Sequence, residues 1–143
     1  MRFLRLLVLC LAFCAAAAPA QEKLRVGVIG PFTGQAAEAG DSLRHGVELG
    51  LEHLPDALRA RIQVVYEDDQ MTAAKAASAF HKLRATNSID VVLSISAQPG
   101  MALSALADQF RIPLISVAIP REIVEGRKYA VLFFARPERL ADL

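Results

Sequence analysis

The chain has 143 residues, 54% of them apolar, with 16 Lys and Arg against 15 Asp and Glu and a formal charge of +1. That length holds about one domain at roughly 100 to 200 residues each, and a nearly neutral composition without a basic stripe leaves no electrostatic footprint for nucleic acid. No apolar run reaches the ~20 residues that a bilayer-spanning helix needs.

The first twenty residues read as a leader. Met1 to Arg5 is a short basic start, Leu6 to Ala17 is apolar, and Ala18-Pro19-Ala20 before Gln21 has the small-x-small form of a signal peptidase site. An uncleaved membrane anchor is the competing reading. A lipid anchor needs a small residue before its cysteine, whereas Leu9 precedes Cys10 and Phe13 precedes Cys14. Cleavage after Ala20 removes both cysteines, so the mature chain is expected to stand on its core rather than on disulfides. It also removes Arg2 and Arg5 and takes the formal charge from +1 to −1. The expected location is periplasmic.

From Leu24 the pattern alternates. Leu24 to Gly30 is a run of strand formers cut off by Gly30-Pro31-Phe32-Thr33-Gly34, which predicts a strand delivering a tight loop at its carboxyl end. Leu43, Gly46, Val47, Gly50, Leu51 and Leu54 recur at helical spacing and predict a helix from about Glu38 to His53. Gly46 and Gly50 on that stripe suggest close approach of the helix to the sheet. Arg61 to Glu67 is a second strand whose polar members suit a half-exposed edge. Asp68 to Thr72 leads into a second long helix with Thr72 as N-cap and a stripe of Ala73, Ala76, Ala77, Phe80 and Leu83.

Asp90 to Ile95 reads as a strand buried on both faces, ending in Ser96-Ala97-Gln98-Pro99-Gly100 before a helix lined by Leu103, Leu106, Ala107 and Phe110. Ile112 to Ala118 is a fourth strand, with Pro113 tolerated near its start. Polar residues from Arg121 to Lys128 then lead to a fifth candidate strand, Tyr129 to Phe134. Strands alternating with helices predict an α/β fold, a three-layer, mostly parallel sheet built by right-handed crossovers. The loops after the first four strands then converge on one edge, where helix N-termini favour carboxylates and other anions. Thr33, Gly34 and Gly100 are equally readable as ordinary turn residues.

Val26-Gly27-Val28-Ile29-Gly30-Pro31-Phe32-Thr33-Gly34, together with Tyr66 to Gln70, Asp90 to Gly100 and Ile112 to Ser116 in that order and spacing, resembles the type I periplasmic substrate-binding proteins of ABC importers, the branched-chain amino acid or amide group. Members of that group are well over twice this length. The resemblance therefore implies residues 21–143 as an incomplete N-terminal lobe, and an aromatic last strand with no helix after it leaves an apolar face without cover. The implied function is extracytoplasmic solute binding. Two lobes close on a small polar ligand such as an amino acid or amide, and the closed form docks on a membrane permease; no cofactor is implied. A truncated lobe serving as a protein-interaction module, or a fragment without function, is the alternative.

Carried over residue by residue, the resemblance puts a ligand-binding Ser of the leucine-type members at Ala97, a backbone-contacting Ala at Ala118, a binding Thr at Pro120 and a covering aromatic at Ala39. Only Ala118 keeps the family type. A site that has lost hydrogen-bond partners discriminates against its old ligand, so a ligand other than leucine, or decayed binding, is expected. Ser94, Ser96 and Gln98 offer replacement polar contacts, and Thr33 and Gly34 complete the wall.

Other chemistry is weakly signalled. Asp68 and Asp69 could hold Mg2+ as in response-regulator receivers, but there the acidic pair follows the first strand and a phosphorylated Asp ends the third. Here the pair follows the second strand and serines end the third, so loop and helix-entry roles are the plainer reading. His45, His53 and His81 stand isolated on helices. The sequence has no P-loop, no G-x-S-x-G elbow and no H-E-x-x-H, and no enzymatic activity is expected.

Overall fold

A computed structural model describes residues 23–133. The leader, its cleavage site and Phe134 onward lie outside the described residues. Five strands, β1 (Leu24–Gly30), β2 (Ile62–Asp68), β3 (Val91–Ser94), β4 (Leu114–Ser116) and β5 (Ala130–Leu132), form one sheet in the order β2-β1-β3-β4-β5. Every pairing is parallel. The helices are α1 (Ala37–Glu52), the short α2 (Asp56–Arg59), α3 (Ala73–Asn87) and α4 (Ala97–Phe110), with one 3-10 turn at Arg121–Ile123.

Local chemistry sets the boundaries. The Thr72 hydroxyl accepts the Lys75 amide at 3.3 Å and caps α3, as expected. α3 and α4 end on left-handed residues, Ser88 (φ 48°) and Arg111 (φ 56°). Carboxylates hold strand ends in place. Asp90 accepts the Arg25 amide at 2.7 Å, and Asp108 of α4 accepts the amides of Lys128 and Tyr129 at 2.9 and 2.8 Å, which positions the start of β5.

The core lies between the sheet and the α3/α4 layer. Phe80, Leu83, Ile29, Val92, Leu103 and Ile123 are fully buried there, each contributing on the order of 1.5 to 3 kcal/mol relative to exposure. Gly27 makes room for this layer, since a Cβ there would meet Leu83 Cδ1 at 2.9 Å. Ile123 comes from the stretch read as polar: the 3-10 turn drives it under α4, against the space beside Gly100.

Three sequence expectations change. Gly46 and Gly50 meet nothing; a Cβ at either has open space around it. The close approach belongs to Gly40, one turn inside α1, whose Cβ would clash with the Pro31 carbonyl oxygen. Only the N-terminal half of α1 is pressed on the chain, with Gly40 and Leu43 buried. β3 is buried on one face rather than two: Val92 and Ser94 are covered, while Val91 and Leu93 are half-buried. The same side of the sheet carries Ile115 at 39% exposure and Val131 at 62%, in register with Leu93, followed by Phe133 at 72%. Finally, α4 begins at Ala97, so Pro99 and Gly100 sit in its first turn rather than ahead of it; Pro is accommodated where the helix has no N–H partner to lose.

Candidate functional site

Because all five strands run parallel, the loops after β1, β2, β3 and β4 share one edge of the sheet, which in open α/β sheets is where ligands bind. Thr33 and Gly34 form the exposed loop between β1 and α1, with Gly34 in the left-handed region at φ 82°. Ala39 lies in the first turn of α1 and is exposed. Ser96 is the residue before α4, and Ala97 and Gln98 are exposed in its first turn. Ala118, buried, and Pro120, half-buried, follow β4. The expected site residues therefore belong to the loops and helix starts after β1, β3 and β4.

The replacement hydroxyls are differently placed. Ser96 is 4% exposed and its hydroxyl contacts Met71 Sδ at 3.2 Å. Ser94 and Ser116 are paired in register at the ends of β3 and β4, both fully buried, and neither Oγ has a hydrogen-bond partner. Their hydroxyls lie beneath the edge, Ser116 Oγ being 3.2 Å from where a Cβ of Gly100 would stand. Of the three proposed polar contacts, only Gln98 is at the surface.

The loop after β2 belongs to the same edge, and its carboxylates are tied into it. Asp68, the last residue of β2, accepts the amides of Phe32 (2.8 Å), Thr33 (3.3 Å) and Gln70 (3.1 Å) on Oδ1, and the Thr33 hydroxyl donates to its Oδ2 at 2.5 Å. Partial burial pushes this carboxyl up, but the Thr33 hydroxyl and the Gln70 and Phe32 amides outweigh that and hold it below the usual carboxylate range. Asp69 is the opposite case. It is fully buried, its Oδ1 accepts the Met71 amide at 2.8 Å, its Oδ2 has no partner, and burial raises it, with the Asp68 charge adding to the rise. Gln70 and Met71 between them sit in the left-handed region at φ 45° and 60°. One oxygen of each carboxylate is thus held by backbone amides, which is the loop role. Among the described residues, no group of three His, Cys, Asp or Glu is placed to hold a metal ion.

Beside this loop, Arg44 of α1 stacks its guanidinium over the rings of Phe32 (4.7 Å) and Tyr66 (4.4 Å), which meet edge to face at 5.6 Å. The cluster fixes Phe32, and with it the start of the Thr33 loop. A groove of about 650 Å³ lies at the opposite, amino-terminal edge, lined by Leu24, Leu54, Leu58 and Ile62 with Lys23, Arg61 and Asp90. It is far from the chemistry described above, because Leu24 and Ile62 open β1 and β2 whereas the site follows their ends.

No curated protein matches the chain. Among solved structures, it resembles an ABC-type branched-chain amino acid transporter protein from Rhodopseudomonas palustris CGA009, at 19% identity and TM-score 0.72 over 82% of this chain and 34% of that one. It also resembles a solute-binding protein of an ABC transporter from R. palustris BisB5 in complex with 3,4-dihydroxybenzoic acid, at 23% identity and TM-score 0.69 over 79% and 32%. A third is a branched-chain amino acid transporter substrate-binding protein from Streptococcus pneumoniae in complex with isoleucine, at 23% identity and TM-score 0.67 over 78% and 33%. The chain spans about a third of the length of each. These likenesses establish the fold, that of the N-terminal lobe of a type I binding protein. The family model for periplasmic binding proteins matches residues 23–139, and the chain belongs to that family.

Proposed function

We propose that this chain forms one wall of an extracytoplasmic solute site, the N-terminal lobe of an ABC-importer binding protein. The observation that carries the reading is the shared edge: the loops after β1, β2, β3 and β4 assemble there, in a family of solute-binding proteins. Thr33, Gly34, Ala39, Ala97, Gln98, Ala118 and Pro120, with Ser96 behind them, are the residues assigned to the wall. The relatives bind isoleucine in one case and a dihydroxybenzoate in another, and the ligand proposed here is a small polar molecule of amino acid or amide type. A second wall and a membrane permease are the implied partners, and the leader read at residues 1–20 would deliver the chain to the periplasm. No enzymatic step is assigned.

One wall leaves most of a ligand wet, so affinity should be weak. NMR titration of the isotopically labelled chain, purified after secretion, with amino acids, amides and aromatic carboxylates tests this. Millimolar shifts confined to residues 31–36, 68–72, 96–100 and 117–120 support the reading; micromolar binding by the chain alone overturns the one-wall premise, and shifts elsewhere overturn the site.

A second reading, an interaction module pairing with another copy of itself, is favoured by one observation: Ile115, Val131 and Phe133 expose apolar side chains on the sheet face that α3 and α4 do not cover. Size exclusion separates the two, since a stable folded dimer favours the module and a soluble monomer removes it.

A further inference from the structure

One contact joins the loop after β2 to the start of α4 through a sulfur atom. The Ser96 hydroxyl donates to Met71 Sδ at 3.2 Å. Ser96 is 4% exposed and Met71 50%, so a covered donor is held against a side chain that solvent reaches. A serine in the N-cap position ordinarily turns its oxygen to the helix amides, but Ser96 makes no such bond to α4. Its hydroxyl goes to a thioether instead, which is a weak acceptor. The loop holds the sulfur's backbone in place: the Met71 amide bonds to Oδ1 of the fully buried Asp69 at 2.8 Å, and the residue sits in the left-handed region at φ 60°. Met101, in α4, is exposed to a similar extent, 43%. Its backbone oxygen accepts the Ser104 hydroxyl at 2.8 Å, and among the described residues no hydroxyl is bonded to its sulfur.

We infer that Met71 is a site of oxidation to the sulfoxide by peroxides, with the Ser96 hydroxyl stabilising the transferred oxygen. A lone pair of the sulfur attacks one oxygen of hydrogen peroxide and the O–O bond breaks. The proton left on the transferred oxygen passes to the departing hydroxide, which leaves as water. Sulfur is oxidised by two electrons and the peroxide is reduced by two. The oxygen arriving on sulfur gathers negative charge, and a donor already in place beside the sulfur favours that state. The same hydroxyl then has a sulfoxide oxygen to bond, a stronger acceptor than the thioether. Exposure does not separate Met71 from Met101; the placed donor does. Oxidation turns an apolar side chain into a polar one, so the edge changes polarity between the loop after β2 and the start of α4. Its bearing on solute binding rests on the wall assigned above, whereas the oxidation itself does not.

The test treats the chain purified after secretion with excess hydrogen peroxide and follows the sulfoxide at each methionine by peptide mass spectrometry. In the folded chain Met71 is expected to oxidise about fivefold faster than Met101 or more, and in concentrated urea the two rates should converge. Ser96→Ala should bring Met71 to within about twofold of Met101 without changing Met101, while Ser96→Thr, which keeps a hydroxyl, retains the preference. Should Ser96→Ala fail to fold, Ser96→Thr and the comparison with urea carry the test. Equal rates in the folded chain, a faster Met101, or a preference that survives Ser96→Ala overturn the inference. Oxidation should also move the amide signals of residues 68–72 and 96–98 and leave those of 118–120 in place; movement throughout the chain overturns a local site. None of these outcomes involves a solute, so the one-wall reading stands or falls separately, on the titrations above.

Discussion

Three glycines on α1 give a sharp test of how this helix meets the sheet, because they are alike in sequence and opposite in surroundings. A Cβ at Gly40 would strike the Pro31 carbonyl oxygen and lie 2.7 Å from its carbon and 3.1 Å from Phe32 Cα. All three atoms are backbone, so no side chain can swing away, and relief requires α1 to shift off the β1 loop. Over-packing of this kind costs about 1 to 3 kcal/mol, set against a helix-propensity gain of about 1 kcal/mol for Gly to Ala. Because the obstacle is rigid, the net loss for Gly40→Ala is placed at the upper end of that difference, about 2 kcal/mol. Gly46→Ala and Gly50→Ala meet open space and should each gain ~0.5 to 1 kcal/mol. At roughly 4 °C per kcal/mol for a domain of this size, thermal unfolding followed by circular dichroism should separate the lowered and raised midpoints by about 10 °C. A Gly40→Ala protein as stable as wild type would refute the packing account of the β1–α1 junction. A loss above 1 kcal/mol at Gly46 or Gly50 would show that this half of the helix is covered, contrary to the structure.

Phe80→Ala removes the largest fully buried side chain among the described residues and should cost about 3 to 5 kcal/mol in urea unfolding; a loss under 1 kcal/mol would mean that the α3 layer is not the core. Ser94→Ala and Ser116→Ala delete buried hydroxyls that have no partner, so stability measured the same way should stay level or rise by about 1 kcal/mol, and a marked drop would reveal hydrogen bonds not accounted for. The pH profile should carry the Asp68 latch. Its folded pKa is lowered, so its contribution is complete above the unfolded value of about 3.9 and fades as pH falls through the folded value. The stability gap between wild type and Asp68→Asn should therefore be widest near neutrality and shrink in acid, and a gap independent of pH from 2 to 7 would show that the carboxylate charge plays no part. Thr72→Ala removes the hydroxyl that caps α3 and should cost about 1 kcal/mol, read from the same unfolding curves.

What the sequence determined by itself was whatever depends on neighbours along the chain. Apolar runs such as Val26 to Ile29 and Val91 to Leu93, cut off by Gly, Pro or Ser, announce strands; Thr72 ahead of an alanine-rich stripe announces a capped helix; and their alternation fixes a parallel sheet with its loops gathered at one edge. The tertiary structure decided what depends on residues far apart in sequence. Periodicity placed Gly46 and Gly50 on a helix face, but the close contact falls at Gly40, because α1 is pressed on the β1 loop only near its start. The run Asp90 to Ile95 reads as buried on both sides, yet one face of β3 and β4 has no helix over it among the described residues, which no local pattern can report. Ile123 hides in a stretch that reads as polar until the 3-10 turn carries it beneath α4. Asp68 reads as a loop residue until parallel pairing of β1 with β2 sets Gly30 beside it and brings the Thr33 loop within reach. A carboxylate's partners are chosen by strand register, and register is a property of the assembled sheet.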